Sequence, residues 1–330
     1  MENFRRKKFP LVFAVTAAGC VSAAVLSLCL GAAHLSWSEV FSSPETVSGR
    51  IFFLVRLPRT VACLLAGAGL AVSGALIQGV LANSLASPGI IGVNAGAGLG
   101  VTLCCALGAI SGWAVAGSAF AGALAAVLTV AVTARKTAAS RSAVILGGVA
   151  VNSFLAAISE AITTLFPDTA SLSADFRTGG FSGVSPARLV PAGIAIIAAL
   201  AVSFSLSNEL DLLAMGEDTA QGLGLPVKKV RTLFLVLAAL LAGASVSFAG
   251  LLGFVGLIMP NMARRIVGGE SKRILPMCAV GGAAFVTLCD CIARVMFAPF
   301  EIPAGIVMSA VGAPFFIFLL FRRKGGHSRG

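Results

Sequence analysis

The chain has 330 residues, of which 58% are hydrophobic and 11% charged, with a net charge of +11 and a mean hydropathy of +0.98. Soluble domains carry about 25% charged residues, so a soluble fold is excluded, and with it the nucleic-acid binding that such a charge would suggest in a soluble chain. The basic residues stand in short clusters between apolar runs, as topology signals do.

Residues 1–10 form a basic N-terminus containing Arg5-Arg6-Lys7-Lys8. The apolar run that follows reaches Leu30, longer than the hydrophobic core of a cleaved signal peptide, about 7–15 residues. It reads as an uncleaved first helix over 11–32. Further runs near the spanning length of about 20 residues lie at 60–80, 89–110, 113–134, 142–165, 189–206, 230–249, 274–297 and 303–321. The nearly uncharged stretch 230–263 is 34 residues long. As a single helix it would measure about 51 Å against about 30 Å of hydrocarbon. Gly250, Gly253, Gly256 and Pro260 offer places to break it, so two crossings are expected there, the second short. The fold class is therefore all-α, a polytopic membrane domain over 11–321 with about ten transmembrane helices and a basic tail at 322–330.

With the N-terminus inside, 18 of the 24 Lys and Arg fall on the inner side. That bias sets both termini in the cytoplasm of a bacterial inner membrane. Leu64-Leu65-Ala66-Gly67-Ala68 recurs as Leu240-Leu241-Ala242-Gly243-Ala244, once running inward and once outward, as in an inverted repeat. The glycine spacings Gly92/Gly96/Gly100 and Gly108/Gly112 read as close helix contacts.

The chemistry-bearing residues are sparse. The eight Cys form no CxxC pair, and His34 and His327 are the only histidines. No zinc-ligand spacing, Ser-His-Asp arrangement or nucleotide-binding P-loop is present. A membrane enzyme is disfavoured, no metal or cofactor is expected on this chain, and any nucleotide hydrolysis belongs to another subunit. Glu160 and Asp290 are the only carboxylates inside the predicted spans. Ion-coupled carriers place ionisable groups along their route, so an ion-coupled secondary transporter is the alternative function and not the preferred one. Gln78, Asn94 and Asn152 are the polar candidates to line a channel, each equally able to make an interhelical hydrogen bond.

Three segments stand out. Residues 208–231 are the longest polar stretch on the inner side, where Asp218 or Thr219 could cap a short helix, with Glu217 near its positive end and Gly222 and Gly224 ending it before Pro226. Such a helix is either a lever for a partner or part of a solvated loop. Arg56, Arg59 and Arg294 lie at outer membrane edges, where they could fork onto carboxylates. Alternatively, Asp290 and Arg294, at i,i+4, satisfy each other. Asn83, Ser87 and Pro88 could simply end one helix and start the next.

Four stretches carry a resemblance. The first is Arg56-Leu57-Pro58-Arg59 with Leu65 to Gly74 and Gln78. The second is Asn83-Ser84-Leu85-Ala86-Ser87-Pro88 with Ile91 to Ala97. The third is Leu212 to Ala220 with Leu223-Gly224. The fourth is Gly253 to Asn261 with Arg264 or Arg265, continuing through Asp290, Arg294, Glu301 to Gly305 and Gly312 to Phe316. In this order, over residues 50–320, they resemble the FecCD-type permease family, importers of iron-siderophores, haem and cobalamin. The family usually has Asn-Pro at Asn83-Ser84, often His at Asn261, and a Trp-containing stretch where Phe176 to Phe181 stand here.

The resemblance implies a permease subunit of an ATP-binding-cassette importer working by alternating access. Its partners would be a second permease copy or paralogue, two cytoplasmic ATP-binding subunits that use ATP and Mg, and an extracytoplasmic substrate-binding protein. The resemblance makes 208–231 a coupling loop, with Leu213, Gly216, Glu217, Asp218, Ala220, Leu223 and Gly224 facing the ATPase. It makes Arg56, Arg59 and Arg294 a docking site for glutamates of the binding protein. Asn83, Ser84 and Leu85, with Thr137, Ser140 and Ser142, become a cytoplasmic gate.

Overall fold

The computed structural model describes residues 2–31, 35–42, 44–136 and 141–324. In chain order the helices are α1 (Glu2–Cys29), α2 (Trp37–Ser42), α3 (Val47–Arg50), α4 (Leu57–Val80), α5 (Val93–Ala106), α6 (Gly112–Lys136), α7 (Arg141–Leu165), α8 (Asp168–Thr178), α9 (Pro186–Ser205), α10 (Ser207–Ala214), α11 (Glu217–Gly222), α12 (Val227–Ala249), α13 (Val255–Val267), α14 (Ser271–Val295) and α15 (Ala304–Lys324). A π-helical turn, Ile51–Arg56, joins α3 to α4. Among the described residues, seven helical runs are long and apolar enough to cross a membrane, and α5 and α15 are shorter apolar helices. Helices close every backbone hydrogen bond within one segment, which the bilayer core demands.

Among the described residues, nine of the ten predicted crossings fall on the apolar helices α1, α4, α5, α6, α7, α9, α12, α14 and α15; the short second crossing expected within 230–263 falls on α13, which is not among them. The 230–263 stretch breaks where its glycines predict: α12 ends at Gly250, which adopts φ +70°. Then α13 follows as a helix of 13 residues, about 20 Å long. The predicted span 89–110 shortens to α5, because Gly92 (φ +93°) starts it late and Gly108 (φ +75°) ends it early. Helices α2, α3 and α8 lie in segments read as connections.

Helix α4 sits at the centre, packed by α12, α13 and α14. Of the most apolar stretch, 78% is buried in the run through α4 and 72% in α12, against 11% in α1 and α7. Small residues set the spacing. Gly67 faces Gly282 on α14, and Gly74 faces Gly256 on α13, so closely that a Cβ at either α4 position would strike the opposing backbone. Ser73 Oγ donates to the Ala238 carbonyl at 2.7 Å, and Gly69 lies against Leu241 and Ser245. Rising numbers on α4 therefore meet falling numbers on α12. The two copies of the five-residue repeat thus lie on antiparallel helices: Gly67 of the first faces α14, and Gly243 of the second faces Ala123 and Phe120 of α6. Gly96 and Gly100 meet Gly122 and Ser118 on α6, as their spacing predicts. Gly108 and Gly112 do not make such a contact: nothing lies within 4 Å of a Cβ at Gly108, and Gly112 meets only the Arg188 guanidinium.

Candidate functional site

At one end of the bundle, charge is buried. Arg59, at the start of α4, donates from Nη2 to Asp290 Oδ1 at 2.9 Å and from Nε to Oδ2 at 3.1 Å. Its Nη1 donates to Glu301 Oε2 at 2.7 Å. Arg294, one turn beyond Asp290 on α14, holds Nε 3.1 Å from Asp290 Oδ2. The last turn of α1 supplies the remaining acceptors. Helix C-termini leave carbonyls without intrahelical partners and carry partial negative charge. Arg56 Nη1 donates to the Leu28 and Cys29 carbonyls at 2.9 and 2.6 Å, and Arg294 Nη2 donates to Ser27 Oγ at 2.7 Å.

The three arginines named from sequence are thus brought into one cluster. They are 3%, 6% and 2% exposed for Arg56, Arg59 and Arg294, and Asp290 is fully buried. Each of the three guanidinium groups holds a partner within the chain, the local pairing that the sequence left open beside docking. The i,i+4 pairing of Asp290 with Arg294 is present, but Arg59 shares the same carboxylate.

The opposite end is built by α10 and α11. Leu210 and Leu213 are buried, and Leu210 sits against Gly79 of α4. Asp211 accepts from the Ser271 N–H at 2.9 Å, capping α14 from outside. Gly216 takes φ +123°, a turn that an L side chain rarely adopts, and α11 starts at Glu217. Asp218 and Thr219 therefore lie inside its first turn and do not cap it, which corrects the sequence expectation. Glu217 pairs with Arg231 of α12. Gly224 ends the helix at φ +84°, and the Leu225 N–H returns to the Ala220 carbonyl at 3.0 Å, a Schellman closure. Ala220 is buried, Asp218 is exposed, and Met215 and Leu223 are 67% and 62% exposed. The segment is a rigid double step, anchored by Leu213 and Ala220, that presents apolar tips outward.

Between these ends the loop 81–92 links α4 to α5. Asn83 Oδ1 accepts from the Leu85 N–H at 2.9 Å, an Asx turn. Asn261 Nδ2 donates to the Ser84 carbonyl at 2.8 Å. Gln78 accepts from Arg264 Nη1 and donates to the Gly256 carbonyl at 3.3 Å. With 2% of its surface exposed, Gln78 is a tie between α4 and α13, the interhelical hydrogen bond that the sequence left open beside channel lining. Asn94 and Asn152 are half-buried. Thr137 and Ser140 lie outside the described residues, and Ser142 is the second residue of α7.

The FecCD transport family matches residues 19–322. The chain belongs to that family. It is 32% identical to the Fe(3+)-citrate import system permease protein YfmE of Bacillus subtilis, covering 97% of both chains. It is 38% identical to the vitamin B12 import system permease protein BtuC of Citrobacter koseri, over 92% of this chain and 91% of the relative. A solved metal-chelate type ABC transporter in an inward-facing conformation superposes with a TM-score of 0.86 at 30% identity, covering 95% of this chain and 99% of the other.

Within this FecCD chain, three further residues hold the site together that sequence reasoning gave no role. Glu301 closes the arginine cluster from 242 positions away. Ser27 lies within an apolar run where nothing marks it as an acceptor. Asp211 reaches Ser271 across 60 positions; its one visible signal is that it is a carboxylate in the polar stretch 208–231.

Proposed function

We propose that this chain is the membrane-spanning permease subunit of an ATP-binding-cassette importer, moving an iron chelate or cobalamin inward by alternating access. The observation that carries the reading is the α10–α11 double step. It is fixed to α4, α12 and α14 by Leu210, the Glu217–Arg231 pair and Asp211, yet it leaves Met215 and Leu223 bare. Apolar side chains at an aqueous membrane face mark an interaction surface, and rigid anchoring lets a push there reach the spanning helices. The partner is a pair of cytoplasmic ATP-binding subunits, which supply ATP and Mg. The names of the FecCD relatives support the cargo class. The charge bias of the sequence supports an inner-membrane location with both termini and α11 in the cytoplasm. A second permease copy and an extracytoplasmic binding protein complete the assembly, with Asn83, Ser84 and Leu85 and the stretch from Thr137 through Ser140 to Ser142 narrowing the inner exit. The arginine cluster serves as a clasp between the outer ends of α1, α4 and α14; docking through Arg56, Arg59 and Arg294 would first have to open it.

The test is uptake into proteoliposomes with the ATP-binding subunits and binding protein reconstituted. Uptake should require ATP hydrolysis and ignore protonophores. Uptake that persists without nucleotide and collapses with a protonophore overturns the reading in favour of an ion-coupled carrier.

A further inference from the structure

Helices α6 and α9 flank α12 and pack along it while barely touching each other. The gap is a groove of about 240 Å³. Gly117 of α6 and Ala195 of α9 form its walls and Ala244 of α12 its floor, so small side chains are what leave it empty. Trp113 and Arg188 stand at its rim. From Trp113 to Phe120, both in its lining, the groove runs about 10 Å along α6. The outward face of α9 beside it is apolar, with Val190, Ile194 and Ile197 each at least 60% exposed. In a membrane-spanning chain that face meets hydrocarbon. Arg188 is in the first turn of α9, while α10 follows the last turn, so the rim lies about 26 Å from the α10 end, at the opposite membrane boundary.

Among the described residues, Arg188 is the only charged one lining the groove. Its Nε donates to Ser185 Oγ at 3.3 Å and its Nη2 to the Gly183 carbonyl at 2.5 Å. Among the described residues no carboxylate comes within ion-pair distance of it, although Asp175 lines the neighbouring cavity that Arg188 also borders. A guanidinium without a counter-charge at a membrane boundary suits a phosphate, and a Trp at the same level suits the headgroup zone.

We propose that this groove holds one acyl chain of an anionic phospholipid, with its phosphate on the Arg188 guanidinium. The site rests on α6 and α9 spanning a bilayer; it is independent of the cargo and of coupling to ATP. The Arg188 charge selects the headgroup and the small residues at Gly117 and Ala195 admit the chain.

Native mass spectrometry of the full chain, offered phosphatidylglycerol and phosphatidylcholine in equal amounts, tests this. The unaltered protein should retain phosphatidylglycerol about fivefold over phosphatidylcholine, the preference expected of one basic residue at an anionic surface. Arg188→Gln should abolish the preference, and Arg188→Lys should keep most of it. Gly117→Leu should remove retention of both lipids; nothing lies within 4 Å of a Cβ there, so the helix tolerates it. No preference in the unaltered protein, a preference that survives Arg188→Gln, or retention that survives Gly117→Leu each overturns the proposal.

Discussion

Asn261 Nδ2 on α13 donates to the Ser84 carbonyl at 2.8 Å, across 177 positions of sequence. Asn261 supplies an amide donor to a carbonyl of the loop that follows α4. The hydrogen bond holds the α4–α5 loop against the helix that begins at Val255. Asn261→Ala should release the loop at a cost of about 1–3 kcal/mol. Amide exchange at Leu85 and Ala86 should then quicken about tenfold or more, while exchange in α12 stays unchanged.

The fully buried Asp290 carboxylate is shared by Arg59 and Arg294. Removing one member of a buried ion network leaves the others charged and unpaired, at about 3–5 kcal/mol. Asp290→Ala should therefore lower the thermal midpoint sharply in detergent. Arg59→Lys should also destabilise, since an ammonium cannot fork onto Asp290 while reaching Glu301. Glu301→Gln should cost least, because Glu301 keeps 35% of its side chain exposed. A thermal ranking with Glu301→Gln below Asp290→Ala would contradict the clasp.

What the sequence could reveal follows from distance along the chain. Spans, the break at Gly250 and the i,i+4 relation of Asp290 to Arg294 are local, and periodicity or spacing displays them. Helix α8 escaped because Asp168, Ser171, Ser173 and Asp175 give it none of the apolar continuity by which spans are recognised. The partner of Arg59 escaped because Glu301 is brought near only by the packing of α14 on α4. Gln78 stayed open for a related reason: a polar residue in a span signals a hydrogen bond or a path, and the position of Arg264 is not visible along the chain.

Glycine substitutions separate packing from propensity. Gly67 and Gly74 on α4 meet opposing backbone that cannot yield, so Gly67→Ala and Gly74→Ala should sharply reduce the folded yield. Nothing lies within 4 Å of a Cβ at Gly98 on α5. Gly98→Ala should be neutral or raise stability by about 0.5–1 kcal/mol through helix propensity. Yield after size-exclusion chromatography and the thermal midpoint measure both. Equal tolerance at Gly74 and Gly98 would mean that α4 and α13 do not pack as described.

The α10–α11 step makes the functional prediction. Met215 and Leu223 are exposed and contribute little to the fold, so Met215→Asp and Leu223→Asp should each change stability by no more than about 0.5 kcal/mol, as surface changes do. If the tips seat against the ATP-binding subunits, each added charge is desolvated without a partner, and hydrolysis should uncouple from uptake. Gly216→Trp behaves differently. Its φ of +123° strains any side chain, by about 1–3 kcal/mol, and should tilt α11 itself. The expected pattern is lost uptake in all three variants, with a stability loss only in Gly216→Trp. Normal uptake by the Met215→Asp, Leu223→Asp double variant would remove the lever from the mechanism, because among the described residues these are the large apolar side chains exposed beside α11.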